Sequence, residues 1–390
     1  MMAWLADGKF FRIPVIRLGV FSTAFLIVIA VPAEVVPRLQ FQSVVPGFDY
    51  AHLQVTNKPW SIHIARLDRR SKNLGLATTL GKGNVQGLDT VSTQVATISP
   101  AAGKPLAAVN ADFFSAKGDP GGLYIRESEL VSAPASVSFW MENDHRIHIE
   151  KISSALEVLW PSGRKTLIGL NEMPKTNSTV LFTSSFDKAT PAKDCREVIL
   201  EKIEGRPWLP LRPNLNYRAR IREIRETGGT ILTTNLVILA LNSLTATNTA
   251  KLKPGDSLQF KTTLSRNLRD ARLAVGGGPL LVKNGKSETW PVRSASNPYV
   301  PRHPRTALGF NSRYLFFVVV DGRQATLSIG MSMKELAEFM QQLGCTDAMN
   351  LDGGGSATFW LNGKVMNSPS DGHERPIANA LVIVEKPKRN

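Results

Sequence analysis

Three consecutive stretches decide the fold: YLFFVVVDGR at 314–323, SMKELAEFMQQLG at 332–344 and AMNLDGGGS at 348–356. Tyr314 to Val320 is an unbroken apolar run of strand length, ending at Asp321-Gly322, and reads as a buried strand. Ser332 with Glu335 three residues on is a capping-box pattern, in which two side chains satisfy two otherwise orphaned amides. Leu336, Phe339, Met340 and Leu343 then follow helical spacing, and Gly344 supplies the stop, so the pattern predicts a helix over 332–343. Ala348 to Asp352 is a second short strand, closed by Gly353-Gly354-Gly355. Strand, helix and strand in this order imply a parallel pair joined by a crossover. Such sheets take ligands at the carboxyl ends of their strands, where Asp321 and Asp352 fall.

The glycine cluster has echoes. Gly276-Gly277-Gly278-Pro279 leads through a strand into Asn284-Gly285-Lys286, as Gly353-Gly354-Gly355-Ser356 leads into Asn362-Gly363-Lys364. Gly121-Gly122 followed by Leu123 to Arg126 is a looser third copy. Each unit is a glycine cluster, a strand and a hairpin signal, at spacings too irregular for a solenoid. Further upstream, Ser61 to Leu67 alternates polar and apolar, and Lys104 to Phe114 is apolar until Asn110 and Asp112. The middle, 150–265, shows short alternating runs and no motif. The fold expected is α+β or mixed α/β. It has a β-rich core of mixed sheets, a strand-helix-strand unit near the C-terminus, and glycine-rich loops converging on one site. Its parts are an N-terminal β-rich segment, 34–104, and a main domain, 105–388.

Lys and Arg number 47 against 32 Asp and Glu, a net +15, an excess that can attract phosphate, nucleic acid, anionic lipid or an acidic glycan. Basic residues do not concentrate. Arg218, Arg220 and Arg222 alternate as the solvent face of a strand does, and no nucleic-acid signature accompanies them, so no nucleic-acid partner is expected. Lys9, Arg12 and Arg17 precede an apolar run from Leu18 to Val31, the layout of a secretory signal with Val31-Pro32-Ala33 as its cleavage region. The segment 1–33 is therefore a signal peptide or an N-terminal anchor, the only expected link to a membrane, and the rest is exported. Cys195 and Cys345 are a bridge or two buried thiols.

Consecutive glycine amides can cradle an anion. Here they stand beside Asn110 and Asp112, and beside Asn350 and Asp352. Arg302-His303-Pro304-Arg305-Thr306 offers cations and a hydroxyl, and Arg grips phosphate in a two-bond fork. Asp112, Asp321 and Asp352 are candidate acid/base or metal-binding carboxylates, since sugar-linkage hydrolysis commonly takes two. His303 and His373 could carry protons, but the six His show no metal-ligand spacing.

Taken together, Asn110 to Phe114, Gly276 to Leu281, Arg302 to Gly309, Asp321 to Arg323 and Asn350 to Ser356 resemble the phosphodiester glycosidase family, roughly over 105–385. The helix before the last motif fits, as does Arg375 to Val384 with Asn379 entering the final strand. The resemblance implies hydrolysis of a sugar–phosphate diester at the sugar side, with bacterial relatives linked to exopolysaccharide. Asp112 departs from the family's Asn-Gly-Gly-Phe-Phe form, and so could add a catalytic or metal ligand or alter substrate choice. The expected reacting carboxyl is Asp352, with Asp112 and Asp321 beside it. Arg305, Arg302, Thr306, His303, Ser356 and the amides of Gly353, Gly354 and Gly355 are expected at the phosphate. Asn110 and Asn350 are expected to orient sugar hydroxyls, Asn379, Gly277 and Gly278 are expected among the substrate- or phosphate-binding residues, and a divalent cation is allowed. The rival expectation is a non-catalytic binding or assembly factor for anionic exopolysaccharide.

Overall fold

The helix forms where its caps place it. Met333–Gln342 is capped by Ser332, whose hydroxyl accepts from the Glu335 amide while the Glu335 carboxylate accepts from the Ser332 amide. Gly344 follows at φ +81, a left-handed conformation in which glycine carries no Cβ penalty. The helix, with Leu336, Ala337 and Met340 buried, packs against the strands Leu280–Lys283 and Arg305–Phe310. Gly309 permits the approach, because a Cβ there would stand 2.6 Å from Met340 Cε.

The computed structural model describes residues 39–133, 136–192, 195–241, 249, 251–289 and 300–387, all within the unit 37–390. The signal or anchor reading of 1–33 lies outside the described residues. No helix among the described residues is long and apolar enough to cross a membrane.

Four sheets carry the chain. In the first, the strands Trp60–Asp68, Tyr314–Val320, Arg305–Phe310, Asp347–Asn350 and Leu280–Lys283 run side by side. In the second, Phe359–Leu361, Lys104–Asn110, Asn379–Glu385 and Leu74–Leu80 do so. The strands of 34–104 thus pair directly with C-terminal ones. Apolar side chains of these two sheets and of a third, built on Ala271–Gly277, form one buried core that includes Val109, Val275, Phe317, Met349, Phe359 and Leu381. A fourth, eight-stranded sheet is formed by the middle of the chain; a second core, around Tyr217, Phe260 and Leu239, is shared between it and the third sheet through Ile125, Trp140 and Ala274. Arg218, Arg220 and Arg222 lie on its solvent side, as their alternation indicated.

Two expectations change. Tyr314–Val320 and Asp347–Asn350 do run the same way, but they do not pair: Arg305–Phe310 lies between them, antiparallel to both. The helix therefore bridges over an inserted strand. Secondly, the β-rich core of mixed sheets is as expected, but the helical part is smaller than an α+β fold implies: the α-helices among the described residues are Val91–Ala96 and Met333–Gln342. The glycine echoes do form hairpins, at Leu280–Ser287, Phe359–Val365 and Tyr124–Ser132. Cys195 and Cys345 form no disulfide, so the bridge reading is not met.

Candidate functional site

Antiparallel pairing brings strand ends and strand starts to one edge. Asn110, Gly277 and Asn350 end their strands, Asp321 follows the end of its own, and Arg305 and Asn379 begin theirs. Ala307 lies opposite Asn350, Arg305 opposite Val320, and Ala380 opposite Asn110.

Asn110 ties these ends together. Its buried Nδ2 donates to the Asp352 carbonyl at 2.6 Å, and its Oδ1 accepts from Thr306 Oγ1 at 2.7 Å and from the Thr358 amide at 3.1 Å. Both Asn110 and Thr306 thus spend their polar atoms on the protein, which makes them positioning residues. Asn350 Nδ2 donates to the Gly278 carbonyl at 2.8 Å, while the Gly278 amide donates to the Asn350 carbonyl at 2.7 Å. Gly277 must lack a side chain there, since a Cβ would meet the Asn350 carbonyl oxygen at 2.6 Å.

The three carboxyls meet different fates. Asp112 is fully buried, its amide donates to Asn379 Oδ1 at 2.8 Å, and its Oδ2 accepts from the Gly122 amide at 2.7 Å. Its carboxyl lies where a Cβ on either Gly122 or Gly276 would collide with it. Burial pushes its pKa up to about 8, with the nearby Asp352 charge adding to the rise. Burial also pushes the Asp352 carboxyl up, against the pull of the Ser356 hydroxyl, the Gly353 amide and Arg375. Asp321 is buried too, which opposes its charge. Donors from His63, Ser61 and Ser368 overcome that and hold it below the usual carboxylate range.

The two arginines of the 302–306 segment also differ. Arg302 is exposed and forks onto the Glu335 carboxylate at 2.6–3.1 Å, which fastens the segment to the helix cap. Arg305 is buried and donates to the carbonyls of Met331 and Pro301, at 2.9 and 3.0 Å. It pairs with no carboxylate among the described residues. Burial and Arg323 push its pKa down to about 10. A buried cation without a counter-charge is costly unless something anionic completes it.

Two further arginines, not singled out from sequence, flank the glycine turn. An added Cβ at Gly354 would stand 3.1 Å from Arg323 Nη2, and one at Gly355 would overlap Arg375 Nη2 and its ion-pair partner Asp371 Oδ2. Both lie inside stretches that carry the family resemblance, Asp321 to Arg323 and Arg375 to Val384, but neither was named as a site residue. The expected amide cradle is partly occupied: the Gly353 amide donates to Asp352 Oδ1 at 2.9 Å and the Gly354 amide to the Pro304 carbonyl at 2.9 Å. Those two amides are structural.

Three buried polar atoms at this edge have no hydrogen-bond partner among the described residues: His303 Nδ1, Asn350 Oδ1 and Asn379 Nδ2. Buried polar groups are normally satisfied, so a cluster of exceptions points to a ligand or water. Burial, Arg305 and Arg323 lower the His303 pKa, so the ring is neutral and able to accept. No group of three His, Cys, Asp or Glu that could hold a metal ion occurs among the described residues.

Residues 215–384 match the model of the phosphodiester glycosidase family, a span that includes Arg305, Asp321, Asp352 and Asn379 but not Asn110 or Asp112. Over 116 residues, 30% of this chain and 18% of the relative, the sequence is 35% identical to the SPbeta prophage-derived uncharacterized protein YomE of Bacillus subtilis. Over 68 residues, 17% of this chain and 13% of the relative, it is 46% identical to the mouse N-acetylglucosamine-1-phosphodiester alpha-N-acetylglucosaminidase. The matched segments thus span less than a fifth of those curated relatives. The fold is shared with a hypothetical protein from Synechocystis, at TM-score 0.70 and 18% identity, over 89% of this chain and 64% of that one.

Proposed function

With the resemblance to the phosphodiester glycosidase family established over residues 215–384, we propose that this chain hydrolyses a sugar 1-phosphodiester at its glycosidic bond. The observation that carries the reading is Arg305, a buried guanidinium with no carboxylate partner among the described residues, at the same edge as Asp352 and its raised pKa. The arrangement supports a phosphate held by Arg305 with Arg323 and Arg375, while sugar hydroxyls satisfy Asn350 Oδ1 and Asn379 Nδ2. A phosphate is a fair leaving group, and cations that absorb its charge lower the barrier further. A carboxyl whose burial favours its protonated form is suited to pass a proton to the departing oxygen. Asp352 takes this part.

Export through the segment 1–33 and a role in cell-surface polysaccharide belong to the same proposal, supported by the charge layout of the N-terminus. The test is incubation of the full chain with a panel of sugar 1-phosphodiesters, with and without chelator, and detection of free sugar by mass spectrometry. Release supports the hydrolase. Folded protein that binds acidic glycan and releases nothing points to a binding module.

A further inference from the structure

Asp321 does not face the glycine turn as a reacting group, because its four acceptor positions are taken. Oδ2 accepts from Ser61 Oγ at 2.7 Å and faces His63 Nε2 at 3.4 Å. Oδ1 accepts from the Ser368 amide at 2.8 Å and from Asn367 Nδ2 at 3.2 Å. The next polar side chain repeats the link: Gln324 Nε2 donates to the Ser368 carbonyl at 2.8 Å, and Ser368 Oγ donates to Gln324 Oε1 at 2.9 Å. Two loops are thereby clasped. One carries Arg323, a non-glycine residue at φ 62, and the other leads to Asp371 and Arg375. Left-handed backbone at a non-glycine residue costs free energy and persists only where surroundings enforce it. Here hydrogen bonds on either side of Arg323 do so.

We propose that Asp321 is the positioning residue of the anion site, clamping the Arg323 loop to the Asp371–Arg375 loop so that both guanidiniums stand over Gly354 and Gly355. The proposal rests on the reading that these arginines bind phosphate, although the clamp itself is a mechanical claim. The clasp also reaches the surface. Ser61 has one O–H and gives it to Asp321, so His52 Nε2, 3.0 Å from Ser61 Oγ, is the donor there. His52 stacks on His63 at 4.3 Å, and His63 Nδ1 meets Tyr50 OH at 2.8 Å. The carboxylate is thus held from the sheet side by two histidines, a serine and a tyrosine, and from the loop side by Asn367 and Ser368.

Two readouts on the full chain test this. Hydrogen–deuterium exchange of the amides in 366–375 needs no ligand, and Asp321→Asn and the milder Gln324→Ala should both speed it. The affinity for inorganic phosphate, by titration calorimetry, should weaken about tenfold in Asp321→Asn, the scale of one mispositioned charge-assisted contact. With Arg323→Ala and Arg375→Ala combined, both contacts that the clamp positions are already lost, so adding Asp321→Asn should change little further; a general loss of structure would instead add. Unchanged exchange in both variants overturns the clamp. Faster exchange in a protein whose wild type binds no phosphate upholds the clamp and removes the phosphate reading.

Discussion

The side-chain amide of Asn110 donates to the carbonyl of Asp352 across 2.6 Å, joining residues 242 positions apart in the chain. Through it the end of the strand Lys104–Asn110 sets the position of the glycine turn. Asn110→Ala removes this bond and strands Thr306 Oγ1 and the Thr358 amide in the core. Each abandoned buried group costs roughly 1–3 kcal/mol. Denaturant unfolding should therefore show a loss of about 2–4 kcal/mol, together with reduced turnover. Reduced turnover at unchanged stability would mean that Asn110 serves the substrate instead.

Arg302 and Arg305 should separate cleanly. Arg302→Ala breaks an exposed ion pair, worth about 0–1 kcal/mol, and should leave kinetics nearly unchanged. Arg305→Met removes the buried cation and should raise KM at least about tenfold, the weight of one charge-assisted contact to phosphate. Steady-state kinetics on the two variants decides whether the buried arginine is the anion ligand.

Asp112 makes stability depend on pH. Its carboxyl stays protonated in the folded chain up to about 8, whereas the unfolded chain releases that proton near 4. Between those values the unfolded state binds fewer protons, so this group's contribution falls as pH rises. Asp112→Asn mimics the protonated form and cannot ionise. Its melting temperature should match the wild type near pH 4 and exceed it increasingly up to pH 8. A constant difference across that range would contradict the buried neutral acid.

Part of this was legible locally. The capping box at Ser332 and Glu335 and the period of Leu336, Phe339 and Met340 lie within one helix, so sequence alone locates it. The hairpins after each glycine cluster were equally local. The strand inserted between Tyr314–Val320 and Asp347–Asn350 was not, because its pairing is set by contacts on both flanks and not by its own pattern. Arg302 and Arg305 look alike in a row of five residues. Only Glu335, thirty-three positions away, reveals that one is spoken for. Arg323 and Arg375 were hidden for the same reason, since a clasp between loops brings them to the turn.

Asp352→Asn should lower kcat by about 10²–10⁴, the usual weight of a general acid or base. The melting temperature should stay within a few degrees, because the amide keeps an acceptor for the Gly353 donor. A kcat within a few-fold of wild type would assign the proton transfer elsewhere.

The central claim is that the bond cleaved lies on the sugar side of the phosphate. Turnover of a sugar 1-phosphodiester in water enriched in oxygen-18, followed by mass spectrometry of the phosphate product, tests it directly. The account predicts a phosphate monoester without heavy oxygen, since water attacks the sugar carbon. Heavy oxygen in the phosphate would mean attack at phosphorus and would contradict it.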